Sequence, residues 1–445
     1  MKRLIFSFFV VGCSLFGSHA EYKMHVWNSD GSTSSFLVSN VDSVTFTQIE
    51  EPSQEVESVM KSDALTLAKK LHVGINIGNT MESTDMTDSW CPNGETCWGA
   101  KKITPKLIAQ YKAAGFNAIR IPCQWYDFIE SGSPSYKIKE SWMNRVKEVV
   151  DYVVEEDLYA ILNIHWDGGW LEENCSSAKK EEVNKIQAAL WEQIATVFKD
   201  YDEHLLFASA NEPNVDDNTQ AEVLKGYHQT FVNTVRSTGG NNALRNLIIQ
   251  GPRTDIDKSL ELNDVIPTDV VEGRMMYEVH FYPYTYALME SDADWGSVQY
   301  FWGDTDDFRE VVINGVNRSV GPNGWCNETY VDKQFKALKE KFVVGKGMPI
   351  ILGEYCVMDR DLTSLGNHTT GESYQNLYDR SRAYYYEYVN RAAKNNGIVP
   401  FLWETPGNIF DRGESSSDDD CSVVEGRQVL LDGIMKGAAE GQYPF

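Results

Sequence analysis

Beyond residue 60 the chain alternates two kinds of pattern. Short apolar runs at 73–77, 118–121, 160–164, 205–208, 247–250, 275–280, 350–353 and 399–403 are too brief and too uniformly apolar for surface helices. They read as strands buried on both faces, as in a parallel sheet. Between them, stretches at 105–114, 141–156, 178–199, 221–237, 330–342, 374–394 and 425–439 repeat their apolar positions at helical spacing. Strands alternating with helices in this way predict an α/β fold, a (β/α)8 TIM barrel, with a doubly wound open sheet as the alternative. Against the open sheet, Gly74-Ile75-Asn76-Ile77-Gly78-Asn79-Thr80 follows the first strand without the glycine spacing of a dinucleotide or phosphate loop.

The region before residue 60 follows other rules. Lys2-Arg3, an apolar stretch from Leu4 to Phe16 and small residues up to Ala20 have the layout of an export signal, so residues 1–20 are expected to be removed and the protein secreted. Val10-Val11-Gly12-Cys13 offers the other reading, a lipoprotein anchored at Cys13. Residues 21–47 alternate about a polar turn at 28–32, which predicts a small β-hairpin appendage. An acidic linker is expected over 48–59, and the catalytic domain over 60–445. No later segment has the length of a membrane span.

Charge and composition narrow the partners. Lys and Arg number 40 against 65 Asp and Glu, a net charge of -25, and no basic block stands out. Nucleic acid and anionic lipid are therefore excluded as partners, whereas a neutral polymer is compatible. With 12 Trp, 22 Tyr and 19 Phe the chain is rich in flat faces that suit sugar rings. Three of those tryptophans, Trp295, Trp302 and Trp325, fall in a long segment from Tyr284 to Glu328, either a groove-forming rim loop or an insertion packed on its own aromatics. Export makes disulfides available, and Cys91 and Cys97, flanking Pro92-Asn93-Gly94, are the candidate pair. Cysteine spacing gives no zinc site, and Cys123 reads as a small buried hydrophobe.

Polar residues recur where the strands end: Asn79, Arg120, His165, Asn211 with Glu212, His280 with Tyr282, Glu354, and the aromatic Trp403. In a barrel those ends share one rim, where barrel enzymes keep their chemistry. Glu212 and Glu354 would then face each other, and two such carboxylates suffice to cleave a glycosidic bond.

The motifs Gly74 to Thr80, Phe116-Asn117-Ala118-Ile119-Arg120-Ile121-Pro122, Ile161-Leu162-Asn163-Ile164-His165, Asn211-Glu212-Pro213, His280-Phe281-Tyr282, Gly353-Glu354 and Trp403, in that order, resemble glycoside hydrolase family 5. More narrowly they resemble its bacterial endo-β-1,4-glucanase branch, which includes cellulases, lichenases and xyloglucanases. The resemblance covers residues 60 to 440 and implies roles by position. Glu212 matches the acid/base and Glu354 the nucleophile; Arg120 and Tyr282 would support Glu354, and His280 would orient Glu212. Asn211 would bind the sugar 2-OH, His165 would contact hydroxyls of the same subsite, and Trp403 would lie beneath the ring. Asn79, Trp166 and Trp98 complete the candidate substrate-contacting set. Two departures stand out: Trp166 replaces a second His after His165, and Glu404-Thr405-Pro406-Gly407-Asn408 follows Trp403 in place of a Trp-Asp-Asn-Gly continuation.

The resemblance implies a secreted, retaining endo-β-1,4-glucanase acting on cellulose, xyloglucan or mixed-linkage glucan, with no metal or other cofactor, no partner beyond the polysaccharide, and a monomeric state. The alternatives are a mannan- or xylan-cleaving enzyme on the same scaffold, whose specificity would reside in loops, and a non-catalytic glycan-binding barrel.

Overall fold

The computed structural model describes residues 23–27, 33–37, 53–83, 94–413, 416 and 420–445. The chain divides after residue 51 into two units. In the first, strands Lys23–Trp27 and Thr33–Leu37 pair antiparallel, with Lys23 opposite Leu37 and Trp27 opposite Thr33. The export signal, Cys13, the turn at 28–32 and Cys91 lie outside the described residues.

The second unit is a closed barrel. Its strands are β1 (Gly74–Asn76), β2 (Ala118–Ile121), β3 (Tyr159–Asn163), β4 (Leu205–Ala208), β5 (Leu247–Gln250), β6 (Met275–His280), β7 (Ile350–Tyr355) and β8 (Ile398–Leu402). All neighbours run parallel, and β8 closes on β1 through Phe401↔Gly74 and Leu402↔Ile75, so the open-sheet alternative is set aside. A helix follows each strand in turn: α1 (Pro105–Ala113), α2 (Glu140–Glu155), α3 (Lys180–Val197), α4 (Asn218–Ser237), α5 (Ile256–Glu261), α6 (Glu328–Leu338), α7 (Tyr374–Asn395) and α8 (Gln428–Glu440). The sequence starts them by capping. Thr104 precedes a proline at the first turn of α1, and Asp217 accepts the amides of Thr219 and Gln220 at 2.8 and 2.9 Å to open α4.

Two expectations need correction. No helix was predicted at α5, because six residues are too few to show an apolar stripe; it forms because Asp255 caps it, accepting the Lys258 amide at 2.8 Å. Within the expected linker, Gln54–Val59 is helical, started by Ser53, which accepts the Val56 amide at 3.3 Å.

Alternation along the strands sorts the interior from the shell. Ile75, Ile119, Leu162, Phe207, Ile249, Val279 and Leu352 point outward and pack with the helices. Their neighbours Ala118, Ile161, Leu206, Ile248, Met276, Ile351 and Val399 fill the barrel, where they meet Ala64, Leu67, Ala68 and Leu71 from a short helix, Ala64–Lys70. That helix is the barrel's floor. Tyr443 and Phe445 pack against it, stacked on each other at 5.5 Å, and the Tyr443 hydroxyl donates to the Leu71 carbonyl at 2.8 Å. Each fully buried Leu or Ile in this layer contributes roughly 1.5–3 kcal/mol. Above it the same inward positions turn polar: Asn76, Arg120, Asn163, Gln250 and Glu278.

In the long β6–α6 connection the three tryptophans differ in burial. Trp302 is fully buried, its indole N–H donating to the Cys326 carbonyl at 2.7 Å, while Trp295 and Trp325 stand exposed. Cys97 is disulfide-bonded, and Cys123 is a buried thiol.

Candidate active site

Arg120 is the hub of the polar layer. Fully buried at the end of β2, it donates from Nη1 to Asn76 Oδ1 and Glu354 Oε1, both at 3.0 Å, and from Nη2 to Asn211 Oδ1 at 2.8 Å. Nη2 also lies 3.0 Å from Glu278 Oε1. Only a planar fork with fixed donors meets four acceptors, on β1, β6, β7 and the segment after β4, at once. Glu278 is held in turn by the Gln250 amide at 2.5 Å, and Gln250 accepts the Ala210 amide at 2.8 Å. The close approach of Glu278 requires Gly353: a Cβ there would lie 2.0 Å from Glu278 Oε1.

The two predicted carboxylates meet above this hub. Glu354 is pinned at both oxygens, Oε1 by Arg120 and Oε2 by the Tyr282 hydroxyl at 2.9 Å, and its side chain is 7% exposed. Glu212 is hydrogen-bonded to His280, with Oε1 and Nδ1 2.6 Å apart, and its side chain is 43% exposed. His280 Nε2 lies 3.3 Å from Glu278 Oε1, and its Nδ1 lies 3.7 Å from Glu354 Oε2. One oxygen of Glu212 and one of Glu354 are within 4.8 Å of each other. That closeness is on the side of a pair in which one carboxylate attacks directly, with carboxyl groups about 5–5.5 Å apart, and short of the roughly 6.5–9.5 Å of an inverting pair.

The electrostatics follow from this packing. Burial disfavours charge on His280, but Glu354, Glu212 and Glu278 outweigh it and push the imidazole up to about 10. Burial also works against the Glu212 carboxylate; the hydrogen bond and charge of His280 prevail and hold it below the usual range. In Glu354 burial prevails, with repulsion from Glu212, over the pull of His280, Arg120 and the Tyr282 hydroxyl, so this carboxyl sits above the usual range. The pair titrates as one system.

Around the pair the rim loops carry the remaining candidates. His165 is stacked on Trp403, ring centres 5.7 Å apart and planes 8° from parallel. Burial and the nearby positive charges of Arg120 and His280 hold His165 well below its ordinary value, so it is neutral. Trp166 and Trp98 are 39% and 41% exposed on the β3–α3 and β1–α1 loops, and no hydrogen bond among the described residues joins them to the carboxylate cluster. Asn79 stands apart as well: it holds a left-handed backbone (φ 62°), and its amide donates to the buried Glu82. Glu404, the departure after Trp403, is fully buried and accepts the amides of Ile409 and Phe410 at 3.1 and 3.0 Å, so it shapes the β8–α8 loop from within.

Sequence reasoning missed Asn76, Glu278, Gln250 and Glu172. A signal existed for Glu278, a charge two residues before His280 inside a buried strand and therefore on the same inward face. Glu172, buried on the β3–α3 loop, accepts the backbone N–H of Glu212 and left no periodic trace.

His280, Glu212 and Glu354 also form the one described trio close enough to surround a metal ion. Their bonding does not suit one: Nδ1 carries the proton shared with Glu212, and Arg120 already supplies the positive charge that Glu354 faces.

Residues 82–408 match the family model described as Cellulase (glycosyl hydrolase family 5). The chain is 34% identical over 385 residues to a xyloglucan-specific endo-beta-1,4-glucanase of Bacteroides ovatus, covering 84% of this chain and 70% of that protein. It is 35% identical over 401 residues to endoglucanase A of Paenibacillus barcinonensis, covering 84% and 90%. Among solved structures, it is similar to a xyloglucan-specific beta-1,4-glucanase from a ruminal metagenomic library in complex with XXLG. The TM-score is 0.72 at 34% identity, covering 86% of this chain and 98% of that one.

Proposed function

The chain belongs to glycoside hydrolase family 5 as an endoglucanase-type enzyme of β-glucans, and from that premise we propose that it cuts inside a β-1,4-glucan chain by double displacement with retention. The observation that carries the mechanism is the closeness of two unlike carboxyls, Glu354 fixed at both oxygens and Glu212 open to the cleft.

In the first step Glu354 attacks the anomeric carbon, the glycosidic C–O bond breaks, and its electron pair leaves with the departing oxygen, which takes a proton from Glu212. Donors that stay protonated, Arg120 and Tyr282, keep Glu354 available as an anion. The proton lying between His280 and Glu212 is the reservoir: its transfer to Glu212 leaves His280 neutral and arms the acid. In the second step water attacks the same carbon, Glu212 takes the water proton, and the bond to Glu354 breaks. Asn211, oriented by Arg120, receives the 2-OH of the sugar, a contact that tightens as positive charge develops on the ring. Trp403, stiffened by its stack with His165, forms the floor of that subsite, and the exposed Trp166 and Trp98 are its candidate extensions along the sugar chain. Export on the signal formed by residues 1–20 would place the enzyme where such polymers are.

The test is a panel of carboxymethylcellulose, barley glucan, xyloglucan, mannan and xylan, with product sizing and NMR of the first-formed anomer. The β-glucans should be cut to oligosaccharides with retention, and Glu354→Gln should remove the activity. Near-full hydrolysis by Glu354→Gln, an inverted product, or a preference for mannan or xylan would overturn the proposal.

A further inference from the structure

We propose that Glu172, a carboxyl outside the reacting pair, is the positioning residue that aims Glu212 at the leaving oxygen; this rests on the reading of Glu212 as proton shuttle. Strand β4 ends at Ala208, so Glu212 lies four residues beyond the end of the strand. Pro213, next to it, has no N–H to give. The two amides flanking that proline both go to residue 172: the Glu212 N–H donates to the Glu172 carboxyl, and the Asn214 N–H to the Glu172 carbonyl at 2.9 Å. The Asn214 side chain adds a bond to Glu173 Oε2 at 3.1 Å. From the other side the Arg253 N–H donates to the Pro213 carbonyl at 2.8 Å. The segment bearing the acid is thus gripped between two loops, and the grip on Glu212 itself is a single carboxyl.

That carboxyl is chemically suited to the task. Glu172 is 4% exposed, in a helical turn over Glu172–Asn174. Facing it are Glu212, His280, Glu354, Glu173 and the Cys175 thiol. Burial, aided by the charges of Glu212 and Glu354, pushes it up to about 8, so at neutral pH it accepts the amide without adding negative charge beside the pair. A glutamine there would keep an acceptor oxygen; a leucine would leave the Glu212 N–H unpaired and the acid free to swing.

The experiment uses the leaving group as its probe. Acid catalysis is needed for a sugar alkoxide and is dispensable for dinitrophenolate, which departs unprotonated. Glu172→Leu should lower kcat on polysaccharide by about 10²-fold with KM within about twofold, the cost of a misplaced catalytic group. Its pre-steady-state release of dinitrophenolate from a dinitrophenyl β-cellobioside should stay near wild type, and Glu172→Gln should recover most of the loss. Equal loss on both substrates, no loss on polysaccharide, or no recovery by Gln would overturn the assignment. If Glu172→Leu does not fold, Glu172→Asp, with a shorter reach, is read by the same comparison. Glu212→Gln is the control: if it lacks the leaving-group contrast, the reading of Glu212 fails; if it shows the contrast and the Glu172 variants do not, only this inference fails.

Discussion

Tyr282→Phe isolates one hydrogen bond, and its effect depends on pH. The hydroxyl donates to Glu354 Oε2 at 2.9 Å, and phenylalanine keeps the ring while removing the donor. A hydrogen bond to a charged group is worth about 1.5–3 kcal/mol, and one pH unit corresponds to about 1.4 kcal/mol. Glu354 already lies above the usual carboxylate range through burial and the charge of Glu212, and the Tyr282 bond pulls against that rise. Its loss therefore moves the carboxyl further up. The nucleophile must be ionised, so the acid limb of kcat/KM should shift to higher pH by about one to two units, by the same conversion. Below the limb the variant should lose about 10- to 100-fold; above it the gap should narrow, because the carboxylate's charge, and with it this bond, is partly spent in the transition state. The assay is kcat/KM on a soluble β-glucan from pH 4 to 9, with thermal denaturation at each pH as the check on folding. A uniform loss at every pH, or a limb moved downward, would refute the reasoning.

Gly353→Ala should damage the site through a single methyl. Its Cβ would sit 2.0 Å from Glu278 Oε1, and Glu278 can retreat only by leaving Arg120. The expected result is about 1–3 kcal/mol of lost stability in denaturant titration, together with near-complete loss of kcat; full activity would mean that Glu278 is dispensable. Glu404→Gln addresses stability against pH. Burial pushes the Glu404 carboxyl up to about 7, well above the ordinary carboxylate range near 4.5. The folded state thus holds a proton that the unfolded state releases, and stability falls as pH rises from about 4.5 to about 7, flattening above. Glutamine should flatten that fall by a few kcal/mol when unfolding free energies at pH 5 and pH 8 are compared. An unchanged slope would show that Glu404 does not contribute to it.

The barrel was legible because the strand runs are short and apolar on both faces while the helices repeat at their own period. The rim candidates were legible because apolar runs stop near the ends of the strands, as after Ala208 before Asn211 and Glu212, or at Gly353 before Glu354 within β7. The layer beneath was hidden. Asn76, Gln250 and Glu278 sit inside strands whose apolar neighbours suggest an ordinary core, and their purpose appears only when closure turns them toward Arg120. Glu172 was hidden for another reason: its partner is a backbone amide 40 residues away, and amides are the same in every sequence.

The floor of the barrel bears on how the molecule comes into being. The Leu71 carbonyl and the Tyr443 hydroxyl that meet there are 372 residues apart along the chain. On a ribosome, Ala64–Lys70 is made early, and the last of the residues that cover it, on β8 and the segment beyond, are made late. Contacts of such long range are slow to close, because loop-closure entropy is paid before they are rewarded. Sealing of the barrel is therefore expected late in folding, and a chain stopped short of it would carry an open apolar bowl.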